Sequence, residues 1–345
     1  MNVYFGGPDK PAYFLRDLLA ENISLVEEGG EIFWITYYFR DFYLAEKLME
    51  AANHGVKISI VLEKAPRIKN ANDEIYNKLK ACSNIKIKYI KHNLFHKSVY
   101  GMQPKIHEKL YYFSSPKRVC YIGSFNPSGR INDNHEIIKL IGDHDRGHNF
   151  LVRITDEGLL DKLYKHCVYM YNIKHGIYEM FKRYRSKIEN EQTQIYFLPW
   201  ANKKVLISFL DRAASGDKLM IAESHFSAKV ILNKLIDLAR NGVEIKIISH
   251  DTKRRFPLNI EKKLQQKGIE YYRYIHSEEY PMHNKFIILE KRNESLAAFG
   301  SLNFTIRSLH ENHEIFAITK DTSIIESFKN RWDTILKEVT SKNFA

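Results

Sequence analysis

Residues 107–126, HEKLYYFSSPKRVCYIGSFN, and residues 283–303, HNKFIILEKRNESLAAFGSLN, carry the same two polar signatures in the same order. H-x-K occurs as His107 with Lys109 and again as His283 with Lys285. G-S-x-N occurs as Gly123, Ser124 and Asn126 and again as Gly300, Ser301 and Asn303. A third signature, N-H-E-I, follows at Asn134 to Ile137 and at Asn312 to Ile315, so the series returns 176 to 178 positions later. One H-x-K arises easily by chance; three signatures in order at a nearly constant offset mark a duplicated half-site.

The apolar framework repeats as well. Val3-Tyr4-Phe5 is echoed by Ile195-Tyr196-Phe197, each ahead of a helical pattern. Residues 31–39 read as a buried strand, 44–53 as an amphipathic helix stopped by His54-Gly55, and 56–62 as a strand; residues 218–223, 230–240, Asn241-Gly242 and 243–249 repeat that order at an offset near 187. Strand, helix, glycine stop and strand imply a parallel βαβ unit. The expected fold is therefore α/β: two halves packed pseudo-symmetrically, each a mostly parallel mixed sheet flanked by helices. The drop in offset from 187 to 176 places about eleven extra residues in the first half between Glu63 and Lys105. Gly158 to Asn190, rich in Lys and Tyr and interrupted by Gly176, reads as a connecting helical segment, which divides the chain into 1–157, 158–190 and 191–345.

Residues 110–113 and 286–289 read as buried strands, and 120–122 and 297–299 lead into the G-S-x-N turns. Alternation along a strand puts the histidine and lysine of each H-x-K on one side and the residue between them on the other, so one strand end can offer both groups to a phosphate.

Composition limits the partners. A chain of 345 residues with 44% apolar content can bury substantial cores, and its net charge of +12 favours anionic partners such as phosphate groups, nucleic acid or anionic lipid. Cys82, Cys120 and Cys167 form no C-x-x-C and give no sign of a disulfide framework or thiolate zinc site, which fits a reducing cytoplasm. The N-terminal residues lack a signal-peptide pattern, and no run of about 18 apolar residues occurs, so a soluble chain, or one peripheral on the inner face of a membrane, is expected.

The paired H-x-K and G-S-x-N signatures resemble the phospholipase D superfamily over essentially the whole chain. Arg307-Ser308 after the second G-S-x-N and Ser128-Gly129-Arg130 after the first weakly resemble its cardiolipin synthase branch. The second motif is close to the family pattern, with Glu290 where aspartate is usual; the first has Ser114 there, which raises the prospect of reduced or asymmetric activity. The resemblance implies a phosphodiesterase or phosphatidyltransferase with His107 as nucleophile and His283 as general acid and then base.

The residue types suit that chemistry. Anionic oxygens and a poor leaving alkoxide protect a phosphodiester, so a site needs a nucleophile, a proton donor and positive charge around phosphorus. A neutral imidazole can form a phosphohistidine while a protonated one hands its proton to the leaving oxygen. Two such rings on one phosphate titrate as a coupled pair, giving a bell-shaped pH profile. Lys109 and Lys285 would offset phosphoryl charge, and Asn126 and Asn303 would add fixed amide donors. Glu136 and Glu314 are expected to orient the histidines through Nδ1. Ser124 and Ser301 would bond backbone or phosphate, and Gly123 and Gly300 would allow close backbone approach.

His135 and His313 alternate with those glutamates and read as packing groups. His144, Asp145 and His148 lie in a polar loop with no counterpart recognised in the second half, and His92 and His96 lie in the insertion; no metal site or cofactor is expected. The leading expectation is a metal-independent enzyme on phospholipid headgroups. The alternative is a nuclease using the same paired histidines, and a third reading is a phosphate-binding module without activity. No obligatory protein partner is implied.

Overall fold

The computed structural model describes residues 1–90, 104–129, 141, 144–173, 186–201 and 204–341. The chain divides into two compact units, Met1–Tyr184 and Arg185–Ala345.

The first unit is built on strands β1 (Asn2–Phe5), β2 (Glu31–Thr36), β3 (Lys57–Glu63), β4 (Ile85–Ile90), β5 (Leu110–Phe113), β6 (Val119–Gly123) and β7 (Phe150–Ile154), in the spatial order β1-β7-β6-β5-β2-β3-β4. Helices α1 (Phe14–Leu25), α2 (Phe42–Asn53) and α3 (Asp73–Lys80) bury Leu19, Leu48 and Leu79 against Trp34, Tyr111, Phe113 and Tyr121 on one sheet face. On the other face Tyr164 of α4 (Glu157–Asn172) packs edge-on against Phe33 and tilted against Tyr112. Period-two alternation in β2 thus feeds two different cores.

Among the described residues only β2-β3 and β3-β4 pair in parallel; the other pairings of this sheet are antiparallel, so the sheet is mixed, with the expected βαβ unit at one end. The strand expected over 31–39 ends at Thr36 because the following backbone turns to other partners. Phe39 N–H donates to Asn72 Oδ1 at 2.9 Å, and Arg40 N–H donates to Pro127 O at 2.7 Å. Asp41 then caps α2 through Leu44 N–H at 2.9 Å, and Gly55, at φ 84°, stops it as its sequence implies. The segment read as a connector contributes, over Glu157–Asn172, a helix of the first unit, with Leu159, Leu160, Leu163, Cys167 and Met170 buried.

The second unit repeats the plan with β8 (Lys187–Glu189), β9 (Thr193–Leu198), β10 (Lys218–Glu223), β11 (Glu244–His250), β12 (Glu270–Tyr274), β13 (Lys285–Glu290), β14 (Ser295–Gly300) and β15 (Glu314–Thr319) in the order β12-β11-β10-β13-β14-β15-β9-β8. Helices α5 (Val205–Leu210), α6 (Lys229–Arg240), α7 (Leu258–Gln265) and α8 (Ile306–His310) contribute to the core on one face. On the other, Phe328 of α9 (Thr322–Thr340) meets Phe286 and Phe299. The matched elements include β1 and β9, although β9 has β8 outside it: Val3 pairs with Val152 as Ile195 pairs with Ala317.

Pairing also fixes the register of the repeat. Gly123 lies opposite Leu151 and Gly300 opposite Phe316, so β7 precedes its counterpart β15 by 165 positions, not 178. The first unit therefore has about twelve more residues than the second between its G-S-x-N turn and the next strand. Asn134 to Ile137 fall in that insertion, outside the described residues.

The middle residue of the first H-x-K faces α4, as alternation requires. Glu108 Oε2 lies 2.7 Å from His166 Nε2, and both side chains are fully buried. Asn284 and Arg331 hold the corresponding positions in the second unit, also buried. Removing one member of a buried pair strands the other, at about 3–5 kcal/mol, whereas replacing both with apolar groups is far less costly. His166→Leu should lower the unfolding free energy by ~3 kcal/mol or more in urea denaturation, and Glu108→Leu with His166→Leu should recover most of it; equal losses would show that the pair contributes nothing.

Candidate active site

Among the described residues, the H-x-K and G-S-x-N residues of each half-site lie at one edge of its sheet. Strand β13 runs antiparallel to β10 and to β14, and β15 antiparallel to β14, so the start of β13, the end of β14, the start of β15 and the end of β10 share that edge. In the first unit Lys109 Nζ donates to the carbonyl of His107 at 2.6 Å, and in the second Lys285 Nζ donates to the carbonyl of His283 at 2.7 Å. Each lysine thus folds back over the backbone of its own motif. The ring of Tyr37 stands edge-on to His107 at 5.1 Å, with Lys109 Nζ 5.8 Å from its centroid. Asn126 Oδ1 takes long bonds from Thr36 Oγ1 at 3.4 Å and Tyr38 N–H at 3.5 Å.

The serines hold structure. Ser124 Oγ donates to Asn149 Oδ1 at 3.1 Å and accepts Phe150 N–H at 3.0 Å. Ser301 Oγ donates to Glu314 Oε2 at 2.6 Å and accepts Ile315 N–H at 3.0 Å. Both hydroxyls thus bond the next strand through a backbone N–H and a side chain, which gives each serine a positioning role. Asn312 Nδ2 bonds the other oxygen of Glu314 at 3.3 Å.

These bonds identify the true counterpart of Glu314. It is Asn149, an amide, whereas Glu136 lies outside the described residues. His148, read as a loop residue without a match, corresponds to His313, whose ring lies 4.8 Å from Trp200. Among the described residues, no group of three or more His, Cys, Asp or Glu is arranged to hold a metal ion.

The acid position of the motif lies far from the chemistry. Five residues of extended chain, about 16 Å, separate Lys109 from Ser114. Ser114 Oγ accepts Glu31 N–H at 2.7 Å, and Glu290 Oε1 meets Lys329 Nζ at 2.8 Å. Ser114 therefore satisfies a backbone donor that a carboxylate could also satisfy.

Two buried carboxyls were not singled out from sequence. Glu223 ends β10 opposite Lys285 and accepts His225 N–H at 2.9 Å. Burial raises its pKa to about 8, against the pull of Lys285. Thr36 has its place in the first unit, where Glu63, one strand over, accepts Ala65 and Ile106 N–H at 2.9 Å each and fixes the approach to His107. The available signal was a glutamate closing an otherwise apolar run, as in KLMIAE and KISIVLE.

The chain belongs to the phospholipase D-like family: the family model described as "Cardiolipin synthase, PLD-like domain" matches residues 25–155 and 206–336. One relative, the mitochondrial cardiolipin hydrolase of Xenopus laevis, is 26% identical over 113 residues, 33% of this chain and 51% of the relative. The match thus spans about half that relative's length. Among solved structures, phosphatidylserine synthase of Haemophilus influenzae aligns over 99% of this chain and 87% of its own with TM-score 0.68 at 12% identity. Polyphosphate kinase of Porphyromonas gingivalis aligns over 97% of this chain and 50% of its own with TM-score 0.62 at 14% identity. These two establish likeness of fold.

Two outcomes follow from the geometry. Ser114→Ala should cost about 1 kcal/mol in denaturant unfolding by orphaning Glu31 N–H, with kcat on a chromogenic phosphodiester within threefold of wild type; a hundredfold loss would return this position to the chemistry. For Glu223, a carboxyl that titrates near 8 when folded and near 4.3 when unfolded stabilises the fold fully below the lower value and loses that contribution as pH rises through the upper one. Glu223→Gln cannot titrate, so wild-type Tm minus Glu223→Gln Tm should fall by several degrees between pH 5 and pH 8.5. A constant difference would mean that Glu223 is ionised throughout.

Proposed function

We propose that this chain hydrolyses or transfers the phosphodiester of a phospholipid headgroup through a phosphohistidine on His107. The observation that carries this reading is the repeated lysine-to-histidine-carbonyl bond, which in each unit holds an ammonium against the backbone of the motif histidine at a strand end. Imidazole nitrogen attacks phosphorus, the P–N bond forms as the P–O bond to the leaving group breaks, and His283 gives its proton to the departing oxygen. His283 then takes a proton from water or an alcohol, which attacks phosphorus, breaks the P–N bond and restores His107. Lys109, Lys285, Asn126 and Asn303 supply charge and donors for the phosphoryl oxygens, so the step draws on no metal.

The lipid assignment is supported by the family's description as cardiolipin synthase and by the relative named as a cardiolipin hydrolase. No helix among the described residues is long and apolar enough to cross a membrane, so on this reading the lipid is met at a bilayer surface. The net charge of +12 would serve nucleic acid equally well, and substrate tests separate the two.

With EDTA present, purified protein should turn over phospholipid in mixed anionic liposomes and leave labelled single- and double-stranded DNA and RNA intact; the reverse pattern would make it a nuclease. His107→Asn and His283→Asn should each lower kcat about a thousandfold or more, and the double variant should be no worse than either, as for residues acting in one step. Additive losses would mean that the two half-sites work on separate phosphates. Acid-labile, base-stable phosphate should appear on quenched wild type and be missing from His107→Asn.

A further inference from the structure

We propose that the motif-bearing edge of each unit is a docking surface for an anionic lipid bilayer, with Phe42 and Tyr43 entering the bilayer from the first unit and Val230 and Leu258 from the second. This deepens the reading above and rests on it. Among the described residues the exposed large apolar side chains are Leu25, Phe42, Tyr43, Val230, Leu258 and Ile275. Such groups scattered singly over a surface need no explanation, but these are gathered.

Strand directions locate them. β2 runs antiparallel to β5, which starts just after Lys109, and parallel to β3, so β2 and β3 end at the H-x-K edge. β10 runs antiparallel to β13 and parallel to β11, and β11 parallel to β12, so these three strands end at the edge of Lys285. Phe42 and Tyr43 open α2 after β2, Val230 is the second residue of α6 after β10, Leu258 opens α7 after β11, and Ile275 directly follows β12. Leu25 closes α1 ahead of the start of β2, at the opposite edge. Five of the six therefore share an edge with a half-site.

A repeated junction ties them to it. Arg40 and Asp41 N–H both donate to Pro127 O, at 2.7 and 3.1 Å, and Ser227 and Ala228 N–H both donate to Phe304 O, at 2.9 and 3.0 Å. Pro127 and Phe304 directly follow the motif asparagines, so the first turn of α2 and of α6 is fixed beside Asn126 and Asn303. Lys78 Nζ lies 5.7 Å from the centroid of the Phe42 ring, and the Arg16 guanidinium lies 4.6 Å from that of Tyr43. Lys64, Arg67 and Lys69 after β3, and Lys229, Lys253 and Arg254 in the second unit, are exposed at the same edges. Asp251 is the only acid in residues 64–70 and 251–257, although Glu278 and Glu279 follow Ile275.

Exposed apolar groups among cations match a bilayer of anionic lipid, which takes the apolar groups below its headgroups and the cations among its phosphates. Nucleic acid would use the cations and could stack bases on Phe42 and Tyr43, but it offers nothing to Val230, Leu258 and Ile275. Docking by this edge brings lipid headgroups to the H-x-K strand ends without a spanning helix.

Co-sedimentation of the full chain with sucrose-loaded vesicles tests this. Binding should be about tenfold tighter to phosphatidylcholine vesicles with about one third phosphatidylglycerol than to pure phosphatidylcholine. Phe42→Ser with Tyr43→Ser, and separately Val230→Ser with Leu258→Ser, should each weaken anionic-vesicle binding about tenfold, while Leu25→Ser keeps it within about twofold. A pair that binds as tightly as Leu25→Ser overturns the proposal for its unit, and equal binding to both vesicle types overturns the choice of an anionic surface. Wild type that ignores vesicles and binds a fluorescent single-stranded oligonucleotide overturns it for both units and gives the edge to nucleic acid. Wild type that docks as expected, yet leaves both vesicle lipid and water-soluble dibutyryl phosphatidylglycerol intact, would instead overturn the catalytic reading beneath it.

Discussion

The half-sites depend on a backbone contact that only glycine permits. A Cβ on Gly123 would lie 2.2 Å from the carbonyl oxygen of Phe150, and one on Gly300 2.1 Å from that of Ile315. Real Cβ atoms never come so close, so the end of β6 or β14 can lie against the next strand only because the side chain is missing. The following serine N–H then bonds that same carbonyl, at 3.1 Å in the first unit and 3.0 Å in the second, and its hydroxyl ties the adjacent residues. Asn126 and Asn303 follow two residues later, so their placement inherits the precision of this junction. Packing alone would leave the turn free to slide; a carbonyl with no room beside it does not.

That junction explains which parts of the site could be read in advance. H-x-K and G-S-x-N are contiguous, and their local geometry follows from strand alternation and a glycine approach, so sequence was sufficient for both. The partner of the serine comes from the next strand, and identifying it requires the register. N-H-E-I recurred at the right distance, yet its first copy falls in an insertion, while Asn149 shares with Glu314 only a preceding histidine, His148 or His313. Short motifs carry no information about intervening loop length, and twelve added residues change which residue meets the serine. Ser114 posed the opposite problem: its motif position looked chemical, but five extended residues remove it from Lys109.

The fold was legible to a similar depth. Strand and helix identities followed from apolar periodicity, and the βαβ order emerged from the glycine stops. Antiparallel pairings of β5, β6 and β7 did not, because runs buried on both faces read alike in either direction. The helix at Glu157–Asn172 looked like a connector because its lysines and tyrosines dominate the composition. Its leucines at Leu159, Leu160 and Leu163, with Met170, make it a core helix, and the matching aspartate caps, Asp156 and Asp321, show that α4 and α9 begin in the same way.

Duplicated geometry does not make the half-sites equal. Around Lys285 stand Glu223 and Glu314; the same places around Lys109 hold Thr36 and Asn149, neither of which ionises. The proposed chemistry needs one imidazole neutral and the other protonated at the same moment, and two identical sites sharing a proton would populate the useful and the reversed arrangement equally. The exchange of Glu223 for Thr36 and of Glu314 for Asn149 breaks that equivalence, because a carboxyl can ionise and a hydroxyl or an amide cannot. Both copies carry the serine hydrogen bonds and differ in the charge around them. A repeat that was only a scaffold would have no reason to preserve the serine bonds while exchanging glutamate for asparagine, so the divergence at these two positions reads as a division of labour between the copies.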